Sequence, residues 1–195
     1  MELFIERERE ALNSGFYPRM LEHQLAANLP FAIDAAGQFY AIPSKAKIDR
    51  IDLNENGESV VIEYKRSKSS VQDPIKGLEK GVHFQIPFYL LLLREIHPEL
   101  NLVGAYSYVF REGKLAKGLF TKPYFKNVKQ ISAADLAKLL TAVQEKVTTI
   151  LQSICTGNFL LNPFDVKQRC QLGKCDYYEV CRIAPGQIEP RAEDD

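Results

Sequence analysis

Lys47-Ile48-Asp49-Arg50-Ile51-Asp52-Leu53, then Asn54-Glu55-Asn56-Gly57-Glu58-Ser59, then Val60-Val61-Ile62-Glu63-Tyr64-Lys65: the reading of this stretch decides the fold. Both arms alternate and are rich in Val and Ile, and the link between them is polar with a Gly, so the stretch reads as a β-hairpin. The second arm is mostly apolar and then abruptly carries Glu63 and Lys65. Charges at the end of an apolar strand are costly unless they have partners or a task.

Two registers compete. A turn at Asn56-Gly57 pairs Asp49 with Tyr64. A three-residue loop, Glu55-Asn56-Gly57, places Gly57 at the left-handed position such loops require. The second register sets Asp49 opposite Glu63 and Lys47 opposite Lys65, with Asp49, Glu63 and Lys65 on one face. Two facing carboxylates repel unless a cation lies between them. A hard divalent ion such as Mg²⁺ prefers carboxylate oxygens and keeps waters. Lys65 beside it could orient a water and offset charge on a phosphate. The plainer alternative is a surface hairpin with a salt-bridged rim.

Asp49 followed by Glu63-Tyr64-Lys65 resembles the PD-(D/E)XK nuclease signature. The fuller text, Ile48-Asp49-Arg50-Ile51-Asp52 with Val61-Ile62-Glu63-Tyr64-Lys65, resembles its RecB-like branch, which includes AddB-type helicase–nucleases and CRISPR-associated Fe–S exonucleases. The resemblance implies an α/β fold: a central mixed β-sheet flanked by helices, a restriction-endonuclease-like core, with a C-terminal Cys-rich segment. It implies a metal-dependent DNA nuclease, with exonuclease action expected, in which Asp49 and Glu63 hold Mg²⁺ or Mn²⁺. The Tyr64 carbonyl is then a further ligand, and Lys65 orients the water. Glu22 matches a family Glu on the strand before the hairpin. It completes or buttresses the metal shell, or is a surface Glu on an edge strand.

A second motif lies at His83-Phe84-Gln85-Ile86-Pro87-Phe88-Tyr89. Gln85 and Tyr89 are four apart, so they share one face of a helix that is otherwise apolar. Two hydrogen-bonding groups on a buried helix each need a partner. The pair resembles the Gln-x-x-x-Tyr motif of the RecB-like branch, which implies that both side chains line a DNA channel. A snorkelling Tyr and a loop-capping Gln are the alternative. Pro87 suits the first helical turn.

The third motif is Cys170, Cys175 and Cys181. Close cysteines in a cytoplasmic chain suit a [4Fe–4S] cluster or zinc. The segment resembles the cysteine cluster of the Fe–S nucleases, but with four residues between its first two cysteines. Cys155 is the available fourth ligand, or is a small hydrophobe at a helix end.

The remaining sequence sets bounds. The chain has 195 residues, 46% of them hydrophobic, with zero net charge, which fits one domain over 1–187 and an acidic, disordered tail over 188–195. The Cys-rich segment covers 163–182. Basic footprints for DNA are local, at Lys65-Arg66-Ser67-Lys68 and over 122–129, where a solvated face is the alternative. The absence of a membrane span or signal peptide implies a cytoplasmic protein. His23 and His83 read as structural.

Further elements follow from periodicity. A charged helix is expected over 3–12, and a short strand or helical turn over 20–25. Loop and short strand are expected over 28–40, with Pro43-Ser44 breaking the strand after it. A mobile loop is expected over 66–80, strands over 101–111 and 115–120, and a long helix from a capping box at Ser132 to a stop at Gly157. DNA is the expected partner, together with a helicase or a recombination protein. The alternatives are a non-catalytic DNA-end-binding module and a zinc- or cluster-stabilised interaction domain.

Overall fold

The computed structural model describes residues 2–32, 38–71, 73–81, 83–125 and 129–158. The chain divides into two units, Met1–Thr156 and Gly157–Asp195. The sheet and its helices belong to the first. The expected single domain over 1–187 and the tail over 188–195 reach beyond the described residues.

One mixed sheet carries the fold. Its strands are β1 (Tyr17–Ala32), β2 (Phe39–Leu53), β3 (Glu58–Lys65), β4 (Asn101–Val109), β5 (Lys114–Phe120) and β6 (Lys129–Gln130), side by side in chain order. β1, β2 and β3 run as an antiparallel meander, β3 and β4 are parallel, and β4 and β5 are antiparallel. A parallel pair needs a crossover. Here it holds a 3-10 turn (Lys68–Ser70) and helices α2 (Pro74–Glu79) and α3 (Gln85–Ile96). Helix α1 (Glu2–Asn13) precedes the sheet and α4 (Ala133–Cys155) follows it. This is the α/β architecture expected from the sequence.

Each face of the sheet has its own core. Val61, Ala105 and Leu119 pack with Leu90 and Leu91 of α3 and Leu136 and Val143 of α4. Leu90, Leu92 and Leu93 are wholly buried. Each fully buried Leu contributes about 1.5–3 kcal/mol, so the apolar run in α3 anchors the helix that carries Gln85 and Tyr89. On the other face Val60, Ile62, Tyr106 and Phe120 pack with Phe16, and Phe4 of α1 meets Tyr108 edge-on.

The hairpin register is the three-residue-loop one. Arg50 pairs with Ile62, Ile51 with Val61, Asp52 with Val60 and Leu53 with Ser59. Gly57 takes φ +72° and its amide donates to the Asn54 carbonyl. The capping box at Ser132 is present, with Asp135 as its partner, and Gly157 has φ +68°.

Three local expectations are corrected. Of the strand or helical turn expected over 20–25 the strand forms, but it is not short: it has 16 residues and takes in 28–32. Pro43-Ser44 does not break β2. Pro43 pairs with Asn28 of β1, while β3 reaches β2 only at 50–53, so Pro43 removes no ladder bond on that open side. The segment 66–80 is not all loop. The Asp73 side chain caps α2 by accepting from the Ile75 and Lys76 amides, and Pro74 opens the helix. That pair of signals stood in the sequence. In the long helix the buried residues are Leu136, Leu139, Leu140 and Val143, while Ile150 and Ile154 are 40% and 52% exposed.

Candidate active site

The site forms where β2 and β3 part. Continued one step past Arg50 and Ile62, the register sets Asp49 opposite Glu63. There the Asp49 carboxylate accepts from the Tyr64 amide, Oδ2 to N 2.8 Å. A side chain thus takes a hydrogen bond that a backbone carbonyl would take in a continuing ladder, and it fixes Asp49 beside the strand end.

Glu63 is 5% exposed, near the C-terminal end of β3 before the crossover. One of its oxygens, Oε1, accepts from Lys65 Nζ at 2.8 Å and from Gln85 Nε2 at 2.6 Å. Gln85 Oε1 accepts from Lys65 Nζ at 2.7 Å, and Gln85 Nε2 also lies 3.0 Å from the Tyr89 hydroxyl. The first turn of α3 therefore docks onto the strand through Gln85, and the four-residue spacing brings Tyr89 to the same cluster. Burial pushes the Glu63 carboxyl above its usual value, Lys65 and Gln85 oppose the rise, and the Asp49 charge adds to it. A cavity of about 240 Å³ adjoins the cluster, lined by Lys65, Gln85, Ser70, His83 and Ser107 among others.

The other Glu63 oxygen, Oε2, is buried with no hydrogen-bond partner among the described residues. Leaving such an atom unsatisfied costs about 1–3 kcal/mol or more. A cation shared with Asp49 removes that cost. The donors are carboxylate oxygens, which suit Mg²⁺ or Mn²⁺, and Mg²⁺ needs only one or two carboxylates because it keeps waters. The residues present fit the ion. No three carboxylate, imidazole or thiol side chains converge on one point among the described residues.

The Glu22 carboxylate is held by a lysine. Glu22 occupies the β1 position between Leu21, paired with Arg50, and His23, paired with Ile48, so the register sets it opposite Asp49. Its φ is +50°, a conformation L-residues rarely adopt. Its carboxylate forms an ion pair with Lys47, and both side chains are more than half exposed. Cys155 ends α4 and is exposed. Cys170, Cys175 and Cys181 lie outside the described residues. In the expected basic run over 122–129, Lys122 and Tyr124 bond the buried Glu58, and residues 126–128 lie outside the described residues.

One group had no role assigned from sequence. Behind the site, on the opposite face, Arg50 is 4% and Asp52 1% exposed. Arg50 Nη1 reaches both oxygens of Glu8 in α1 at 2.8 Å and the Tyr64 hydroxyl at 3.2 Å. Strand alternation puts positions 50 and 52 on one face, which signals the pair; Glu8, more than forty residues away, gives no such sign.

The chain belongs to the PD-(D/E)XK nuclease superfamily, whose family model matches residues 1–182. The sequence is also similar to one subunit, the B-type, of the ATP-dependent helicase/deoxyribonuclease of Carboxydothermus hydrogenoformans, with 26% identity over 218 residues. That similarity takes in 81% of this chain and 19% of the relative, so the chain spans about a fifth of the relative's length. It accords with the RecB-like character of the motifs. No helix among the described residues is long and apolar enough to cross a membrane.

Proposed function

We propose that this protein is a divalent-metal-dependent deoxyribonuclease that degrades DNA exonucleolytically from single strands or duplex ends. The observation that carries the reading is the division of labour on Glu63. Lys65 and Gln85 hold Oε1, while buried Oε2 is left for a cation beside Asp49.

In this reading Asp49 and Glu63 hold Mg²⁺ or Mn²⁺, with the Tyr64 carbonyl as a further ligand and Glu22 as an outer one. When bound, the ion lowers the pKa of a water and neutralises charge on the scissile phosphate. Lys65 has three N–H donors. Two are committed to Glu63 and Gln85, and the third is available to the attacking water or to a phosphate oxygen. Gln85 fixes Lys65 and Glu63 at once, and with Tyr89 it lines the path of the substrate strand. The relative's name, which joins a helicase to a deoxyribonuclease, supports DNA as substrate and a helicase-type partner. The cysteines Cys155, Cys170, Cys175 and Cys181 supply a [4Fe–4S] or zinc site in the same proposal.

The test is cleavage of end-labelled single- and double-stranded DNA with Mn²⁺, comparing wild type with Lys65→Ala. Metal-dependent shortening from the ends, reduced about 10²–10³-fold in the variant, is expected. Internal fragments would turn the reading to an endonuclease. DNA binding without any cleavage by anaerobically prepared wild type would replace it with a DNA-end-binding module.

A further inference from the structure

A second cluster of ligand-type side chains joins β1 to the C-terminal end of α3. His23 is on β1 and His97 caps the C-terminus of α3. Their Nε2 atoms are 3.3 Å apart, and their ring centroids are 5.4 Å apart. The rings therefore turn their Nε2 corners toward a common point. On its far side His97 Nδ1 lies 2.8 Å from Glu99 Oε1.

The chemistry follows from the proton positions. A carboxylate only accepts, so His97 Nδ1 carries the hydrogen and donates it to Glu99. The Nε2 of neutral His97 is then a bare lone pair, aimed at the matching atom of His23. Something positive must lie between two such nitrogens: the proton of His23, or a cation. Zinc–nitrogen bonds of about 2.0–2.1 Å at a tetrahedral angle place two ligating nitrogens about 3.3–3.4 Å apart. The observed separation has that value. A carboxylate on the far nitrogen is the usual companion of a metal-binding histidine, since it fixes the tautomer and strengthens the ligand.

We propose that His23 and His97 bind a zinc-class cation, with Glu99 orienting His97 and solvent filling the remaining positions. Paired imidazoles favour Zn²⁺, Cu²⁺ or Ni²⁺ over Mg²⁺, so this site and the carboxylate site select different ions. The two also stand at opposite ends of α3. Gln85 begins the helix and His97 follows its last residue, about 18 Å along the axis at 1.5 Å per residue. A cation there ties edge strand β1 to the far end of the helix that presents Gln85 and Tyr89.

The experiment uses the full chain, stripped with chelator and labelled with ¹⁵N. Zn²⁺ is added while the imidazole resonances are followed, in wild type, His23→Gln, His97→Gln and Glu99→Gln. The expected result is a joint shift of the His23 and His97 Nε2 signals in wild type. Each His variant should bind one equivalent fewer, and Glu99→Gln should bind about 10-fold more weakly. Zinc taken up by the cysteines changes none of these differences. If the two imidazoles do not respond to Zn²⁺ in wild type, or the stoichiometry matches in His97→Gln, the pair shares only a proton and the site is rejected. Should a variant fail to fold, the wild-type imidazole response decides alone.

Discussion

Arg50 holds Asp52 through two parallel hydrogen bonds, Nε to Oδ1 at 2.5 Å and Nη2 to Oδ2 at 2.6 Å, in the interior behind the site. A bidentate pair of this kind is strong and directional. It orients the guanidinium so that the remaining nitrogen meets Glu8 and the Tyr64 hydroxyl. Helix α1 and both hairpin strands are thereby joined one residue away from Asp49 and Glu63.

Removing the cation alone should be far worse than removing the pair. Arg50→Met leaves Asp52 buried and unpaired, and a loss of about 3–5 kcal/mol is expected in urea unfolding. The double variant Arg50→Met, Asp52→Leu should recover most of that loss, because apolar replacement of a whole buried ion pair is often neutral. Equal losses in the two variants would rule out this account.

Gln85→Leu removes the donor to Glu63 Oε1, the acceptor for Lys65 and the bond to Tyr89 together. The Glu63 carboxyl, already raised by burial, should rise further, since one group opposing the rise is gone. Mn²⁺ affinity near neutral pH should fall as more protons must be displaced. Tyr89→Phe breaks one of these bonds, so a milder effect of about 0.5–1.5 kcal/mol is expected. Isothermal titration with Mn²⁺ in both variants checks the order.

Glu58 gives a pH prediction away from the site. Hydrogen bonds from Lys122 first, then Tyr124, with Asn54 adding, hold its carboxyl down to about 2. A carboxyl depressed in the folded state contributes stability above its unfolded value near 4.5, and that contribution is lost as pH falls toward about 2. Glu58→Gln should therefore lower the melting temperature at pH 7 and flatten the acid limb between about pH 4.5 and 2. Coincident curves for wild type and variant through that window would remove Glu58 as a contributor.

Gly57→Ala probes the loop that sets the register. At φ +72° an L-residue is strained, and a loss of about 1–2 kcal/mol is expected from the left-handed conformation alone. A Cβ there meets nothing within 4 Å, so no steric clash enlarges the effect. Thermal denaturation measures it directly.

The local arrangement of the site was legible because it is written in short-range periodicity. Alternation and a left-handed Gly narrow the loop to two registers, and the three-residue one that forms brings Asp49 to Glu63. A spacing of four places Gln85 and Tyr89 on one helical face, where both join the cluster. The breaks predicted at Pro43-Ser44 and over 66–80 failed for a different reason. The effect of a proline depends on whether its missing N–H faced a partner, and Pro43 lies where β3 no longer runs alongside β2. Pro74 is a helix opener once Asp73 caps it.

Tertiary structure alone decided what meets across the chain. Pairing of Arg50 with Glu8, of Glu58 with Lys122, and of His23 with His97 joins residues 42, 64 and 74 positions apart. No periodicity spans such distances, because these contacts depend on how helices settle on the two faces of the sheet. The same is true of Glu22. Its place before the hairpin was readable, but its ion pair with Lys47 and its backbone φ of +50° in an edge strand were not. Strand alternation and helical spacing are properties of the local backbone and can be read from residues in order. Which oxygen of Glu63 is filled, and which is left bare, depends on burial by the packed helix, and only the folded chain creates it.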